Sequence, residues 1–469
     1  MHGRLDAQFS MFAVLWALGH LFHTWHQGGS GVDGPLEDPW LLLPLVAALL
    51  VLGRPSQPVR LVFLAFAQLT AFLAQYPLVA NHWTLAAFIN VGLLLTVGLR
   101  ATGHLSAASD DGVRQFGSYA RLVFLIAYAA AAVAKANSGF FDPERSCALT
   151  LANLAGVGEQ LPLALINALI WAALVIELAI PVLLLVRRTR SVGIAVAGVF
   201  HLLLAATPAV TVMDYSMLLF ALLSLFGPPD AAARFQDSVR TSSAAQRLLR
   251  AWRFGPVRWL AAGGVFLAAA GRSAVFGPEL WATLTWGAFL LTGSFVVACG
   301  LAVLSSYRSN PAPEEPLQPQ LAPRRAMPLW TGGLLVVLLL NVASPYLGGK
   351  TTSSFTMFSN LRTEGGTSNH FVLPRLEWDS PQDDLVYIHR STNKALQRAA
   401  DEDFLLTYHE MRRTLSADPS AQVSFSHQGV EYDLTEAREH PDLVSLSPTR
   451  GKLLHFRPVN RQGSPICQA

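Results

Sequence analysis

Charge is what this sequence has least of. Only 14% of its 469 residues are Asp, Glu, Lys or Arg, against about a quarter in a soluble chain of ordinary composition. Hydrophobic residues make up 52% and mean hydropathy is positive. Stretches of bilayer length carry no charge at all, as from Gln160 to Ile176 and from Trp281 to Ser306. That pattern excludes an ordinary soluble domain and indicates a polytopic integral membrane protein, with the lipid bilayer as its first partner. A net charge of +3, with no basic run interleaved with aromatics, excludes a nucleic-acid partner. Cysteine is scarce as well: Cys147, Cys299 and Cys467 form no CxxC pair and no zinc spacing. A cleaved secretory signal is not expected, because His20, His23 and His26 interrupt the first apolar stretch and no small-residue cleavage site follows. Lysine is the rarest charge. Lys135, Lys350, Lys394 and Lys452 stand alone among 34 basic residues, a bias in keeping with a GC-rich bacterial genome and so with a bacterial inner membrane.

What is present is a series of apolar segments near 9–27, 39–53, 58–80, 83–103, 116–136, 163–187, 191–210, 212–226, 257–275, 281–306 and 329–347. The expected fold is therefore an all-α polytopic bundle of about eleven spans. The arginines set its orientation. Arg4, Arg54, Arg60, Arg100, Arg114, Arg121, Arg187, Arg188, Arg190, the group from Arg234 to Arg258, Arg308, Arg324 and Arg325 all fall in one set of alternating links. The other set holds Arg145 and Arg272, with Lys135 at a span end. By the positive-inside rule the N-terminus is cytoplasmic and the C-terminus extracytoplasmic. Residues 1–347 make the transmembrane domain, interrupted by a Pro-rich cytoplasmic linker at 307–328. Residues 348–469 turn polar and read as a small extracytoplasmic α+β domain. In it Leu385 to Ile388 resembles a strand, Asp403 to Leu415 an amphipathic helix, and Val423 to Leu434 a hairpin around Gln428-Gly429. Leu453 to Phe456 is grouped with these elements. The same orientation puts Cys147 and Cys467 outside, where disulfides persist, and leaves Cys299 within a span, so a Cys147–Cys467 bridge is expected.

Ionisable side chains inside spans are costly and face a cavity or a partner. On this topology Lys135, His82, His201, Glu177, His20, His23 and His26 run from mid-membrane to the outer surface, as the lining of an outward-facing pocket would. Lys135 stands out because burial can deprotonate an amine but not a guanidinium, which makes it a candidate general base. The competing role is a lysine that meets the negative end of a helix dipole at the interface. The spacing of His20, His23 and His26 puts three rings on one helix face, suited to a metal or haem. No carboxylate or cysteine lies at ligand spacing and Trp25 marks a membrane surface, so the interfacial reading is preferred and no metal is assigned. Glu177, ahead of Pro181, is either neutral against freed backbone or a charge partner for His201 or Lys135.

Ala134-Lys-Ala-Asn-Ser-Gly-Phe-Phe-Asp-Pro-Glu-Arg-Ser-Cys-Ala148 resembles a motif of the HTTM (horizontally transferred transmembrane domain) family, the vitamin K-dependent gamma-carboxylase-like proteins, here of bacterial type. Asn81-His82, Glu177 before Arg187-Arg188, Phe200-His201, Met213 to Met217 and Ser354 to Gly366 follow in the family's order. The resemblance spans about residues 1–370. It implies a quinol-driven reaction: the lysine matching Lys135 deprotonates reduced vitamin K or menaquinol in a water-poor pocket, and His82 or His201 holds or relays protons. Asn81, Asn137, Glu177, Tyr215, Phe355 and Met357 are the implied pocket residues. Where the carboxylase has a second lysine this chain has Ala136, and where it has an acidic residue this chain has Asn137. The outer domain is also much smaller. Two functions follow as expectations: a quinol-dependent oxidative carboxylase or epoxidase, a lyase-type enzyme acting on a secreted peptide or protein, or a non-catalytic membrane component that binds lipid or a secreted partner.

Overall fold

The computed structural model describes residues 6–27, 39–102, 109–154, 158–206, 212–228, 230–241, 243, 278–309, 329–376, 380–462, 465 and 467. The span expected at 257–275 and most of the linker at 307–328 lie outside these. Twelve α-helices precede the C-terminal sheet among the described residues: α1 Ala7–Gln27, α2 Leu42–Gly53, α3 Pro58–Gln75, α4 Asn81–Ala101, α5 Ser109–Ala134, α6 Cys147–Leu154, α7 Leu163–Leu185, α8 Arg190–Ala205, α9 Met213–Ser224, α10 Ala231–Thr241, α11 Pro278–Ser309 and α12 Leu329–Ala343. Five described helices are long and apolar enough to cross a membrane: Pro58–Gln75, Asn81–Ala101, Gln115–Ala134, Leu163–Leu185 and Trp286–Tyr307. Pro39–Gly53, Arg190–Ala205, Met213–Ser224 and Leu329–Ala343 are shorter apolar helices.

The chain divides into two compact units. Met1–Ala74, Leu85–Leu125 and Ala179–Leu334 form the first. Within it α1 is packed closely against α9. A Cβ at Gly19 would lie 2.6 Å from Leu218 Cδ2, so the contact needs glycine. Ser10, His20, His23 and Thr24, which dilute the hydropathy of α1, are buried. Trp16 Nε1 donates to Asn90 Oδ1 at 3.1 Å, and Asn90 Nδ2 donates to Gln68 Oε1 at 2.9 Å. Phe12 and Trp16 stack with centroids 5.4 Å apart. Burial against protein rather than lipid is what allows a helix with this polar content.

Gln75–Thr84, Ile126–Leu178 and Leu335–Ala469 form the second unit. Its sheet has the antiparallel order β4-β3-β1-β2-β5, with β1 Leu385–Ser391, β2 Phe404–Thr407, β3 Val423–His427, β4 Val430–Leu434 and β5 Val459–Asn460. Helices α13 Lys394–Asp401 and α14 Tyr408–Ala417 supply Leu396, Met411 and Leu415 to a core shared with Val386, Ile388, Val423 and Phe425. The β3–β4 turn forms at Gln428-Gly429, with φ of 50° and 80°, a conformation that suits the glycine. The expected helix from Asp403 to Leu415 is corrected. Phe404–Thr407 is a strand between β1 and β5, and the helix starts only at Tyr408. Thr407 sets that boundary, because its hydroxyl accepts from Glu410 N at 3.2 Å as an N-cap. Leu453 ends a short helix, Pro448–Leu453, and the final pairing falls at 459–460 instead.

Candidate functional site

The second unit gathers most of the residues singled out from sequence around one loop. Lys135 follows the last residue of α5, and its Nζ lies 2.8 Å from Glu177 Oε2 on α7; the two side chains are 6% and 13% exposed. Of the partners left open for Glu177, the structure pairs it with Lys135. The ammonium also reaches the carbonyls of Ala131 at 3.4 Å and Met357 at 3.5 Å, and lies 5.9 Å from the centre of the Phe140 ring. Ala131 is one helical turn back, so Lys135 also takes up one of the carbonyls that a helix C-terminus leaves without an intrahelical donor.

Asn137, two residues on, is wholly buried and uses its amide fully. Nδ2 donates to the carbonyls of Ala134 at 2.7 Å and Ser359 at 2.6 Å. Oδ1 accepts from Phe140 N at 2.9 Å and Asn369 Nδ2 at 3.1 Å. An aspartate here could not make the two donations. Asn81 opens α4, and its Oδ1 accepts from Phe355 N at 2.6 Å.

These side chains meet the segment from Lys350 to Glu364, which is almost entirely buried although it is rich in Ser and Thr. Four of its non-glycine residues have positive φ: Ser353 at 54°, Phe355 at 61°, Phe358 at 50° and Asn360 at 53°. Each such residue costs about 1–3 kcal/mol and persists only where its surroundings over-determine it. The determinants are visible. Asn341 Nδ2 donates to Ser353 O at 2.9 Å, and Asn360 bridges Cys147 N, Arg145 O and Pro465 O at 2.8 Å each. A disulfide joins Cys147 to Cys467, with Cα atoms 4.8 Å apart, beside a cluster of Phe140, Ile170, Leu174 and Phe358. Cys299 is a buried free thiol.

Below this segment lies a polar cluster that sequence reasoning missed. Lys350 Nζ donates to Tyr76 Oη at 3.3 Å and Ser353 O at 3.4 Å, and burial pushes it down to about 8. Thr352 Oγ1 and His455 Nδ1 are 2.6 Å apart, and Glu410 accepts from Phe456 N at 3.0 Å and from Arg413 Nε at 2.8 Å. Burial, then the charges of Arg413, Lys350 and His409, brings His455 down to about 3, while burial raises Glu410. The rarity of lysine was the one available signal, and it marked Lys350 as well as Lys135.

His82 is half-buried at the second position of α4 in this unit. His20, His23, His201 and Tyr215 belong to the first unit. There His23 Nδ1 lies 3.0 Å from Asp214 Oδ2, both groups almost fully buried, and His20 Nδ1 lies 2.7 Å from Trp16 O. His201 meets Tyr215 edge to face at 5.6 Å. His26 lies in the last turn of α1, and its side chain is outside the described set. Asp214 was another missed residue; an acidic group inside an apolar segment was its signal. No family model, no curated protein and no solved structure matches this chain.

Proposed function

We propose that this chain is a polytopic inner-membrane protein of about eleven crossings, cytoplasmic at its N-terminus and extracytoplasmic at its C-terminal domain. In this reading it is HTTM-like, and Lys135 with Glu177 is a proton-transfer centre acting on a lipid-soluble quinol such as reduced vitamin K or menaquinol. The carrying observation is the buried Lys135–Glu177 pair at 2.8 Å, at the end of a helix of membrane-crossing length. An amine–carboxylate pair beside the Phe140 ring offers the polar and aromatic groups that the hydroxyl and ring of a quinol would meet. When bound, the quinol would supply the reducing equivalents with which dioxygen is reduced, one oxygen atom ending in the quinone epoxide and the other in water, with carbon dioxide as the co-substrate of a carboxylation. The protein's part is to move a proton. Nζ–H passes its proton to Glu177 Oε2, and the neutral amine then takes a proton from the quinol hydroxyl. The positive-φ segment fixes the Met357 carbonyl toward Nζ, a preorganised contact that loop chemistry alone would not hold.

The second reading is a non-catalytic component that binds lipid or a secreted partner. It is favoured by the short contact of Nζ to Glu177 and its longer ones to the Ala131 and Met357 carbonyls, which make Lys135 a clamp on the buried segment. Purified protein supplied with reduced menaquinone, dioxygen, bicarbonate and Glu-containing peptides separates the two. Quinone epoxide is expected from the native chain and lost in Lys135→Ala. Lys135→Arg should be nearly as inactive, since guanidinium keeps its proton. Full activity in the arginine variant would remove the base role, and no product from the native chain would leave the clamp.

A further inference from the structure

Residues Phe371 to Leu376 turn their apolar side chains outward and their one charge inward. Phe371 is 61% exposed and Val372 76%, and Leu373, Pro374 and Leu376 are exposed as well. Arg375 is buried and ion-paired to Asp383. In water this is the wrong way round, since it hydrates the apolar groups and desolvates the guanidinium.

Most of the segment's backbone N–H groups are held inside the protein. Phe371 N donates to Ala136 O at 2.9 Å, and Leu376 N donates to Tyr346 O at 3.0 Å. Val372 N and Leu373 N both donate to Nδ1 of His370, at 3.1 and 2.9 Å. That assigns the proton of the ring to Nε2, which donates to Val133 O at 2.9 Å. Pro374 has no N–H to satisfy. Pairing donors within the protein lowers the cost of taking irregular backbone out of water.

The outward face is continuous with the exposed apolar side of a helix long and apolar enough to cross a membrane. The Phe371 ring lies 5.7 Å from Phe141, and Phe141 lies 4.6 Å from Trp171 on α7. Trp171, Val175 and Leu178 form an exposed apolar face there. Trp171 comes eight residues after Leu163, the first residue of α7, or about 12 Å along the axis, well into a hydrocarbon layer about 30 Å thick.

We propose that residues 371–376 are inserted among the acyl chains of the leaflet that receives the N-terminal end of α7, as a lipid-facing wedge. The wedge hangs from Ala136, the residue after Lys135, and so brings the Lys135–Glu177 site within reach of a ligand dissolved in the bilayer. This rests on the membrane reading above, and the experiment separates the two. The full chain is placed in lipid nanodiscs with a fluorescent label on Val372→Cys, Val175→Cys or Glu431→Cys, each corrected for labelling of the native chain. Quenching is measured with doxyl-bearing lipids and with aqueous iodide. The label at 372 should be quenched by the doxyl lipid and be several-fold less sensitive to iodide than the label at 431. Iodide access at 372 equal to that at 431 would overturn the wedge. Protection of 372 from both quenchers would also overturn it, because a protein would then cover the patch. If 175 is open to iodide, the membrane reading itself fails, whatever 372 does.

Discussion

Glu177→Gln removes the charge opposite Lys135 and keeps its shape. The ions are 2.8 Å apart with side chains 6% and 13% exposed, and their gross attraction is about 6 kcal/mol at an effective dielectric near 20. Desolvation of both ions takes back much of that, so the net worth of the intact pair is small. Removing one partner is different, because it strands the other charge, at a cost of about 3–5 kcal/mol for a fully buried pair. The slight exposure of Glu177 puts the expected loss near the bottom of that range, about 3 kcal/mol. The contacts from Nζ to Ala131 and Met357, at 3.4 and 3.5 Å, are too long to replace the carboxylate. Lys135→Met combined with Glu177→Gln removes both charges and should return to within about 1 kcal/mol of the native chain. The assay is unfolding by SDS in mixed micelles across the four proteins of the double-mutant cycle. Single losses that add to within about 0.5 kcal/mol of the double would refute the reasoning, because the residues would then be uncoupled.

Cysteines introduced at positions 430 and 315 test orientation: reagent from outside should reach the first, and the second only from the cytoplasm. Equal labelling of both from one side would refute the eleven-span topology. His455 should make the C-terminal domain acid-labile. Its folded value of about 3 lies below its ordinary 6.5, so stability is complete above 6.5 and drains away as pH falls toward 3. Glu410 is raised and has the opposite sign, its contribution being full below its ordinary value and lost as pH rises through its folded one, so it offsets part of that loss. His455→Gln should therefore flatten the acid limb of a near-UV CD melt, and an unchanged limb would clear His455 of the role. Cys467→Ser opens a link between residues 320 apart in sequence and should cost about 3–5 kcal/mol, with the C-terminal tail becoming sensitive to protease. Equal protease resistance in the two proteins would show that Asn360 and the surrounding apolar cluster hold the tail unaided.

Hydropathy and length were enough to find the helices of membrane-crossing length. The five helices of membrane-crossing length coincide with segments marked by hydropathy, because a bilayer demands the same composition wherever a helix meets lipid. The hairpin at Gln428-Gly429 was equally legible, since its turn chemistry is local. The strand at Phe404–Thr407 was not. Phe-Leu-Leu-Thr carries no decisive period, and pairing with β1 and β5 on both sides decided its state. At the site, sequence marked Lys135, Glu177, Asn137 and Asn81 as expensive or motif-bearing residues, because a rare ionisable or amide group in an apolar setting is visible one residue at a time. What each of them holds was not visible. The pairing of Lys135 with Glu177, the amide of Asn137 on Ser359 and Asn369, and the ring of His370 on the Val133 carbonyl join positions that are far apart in the chain. Such contacts depend on where the backbone places each group in space, and the exposed apolar turn at 371–376 reads in sequence like any short core segment. Composition determined that this chain must keep much of itself out of water; only the tertiary structure decided which of its few charges meet, and which apolar residues are left facing outward.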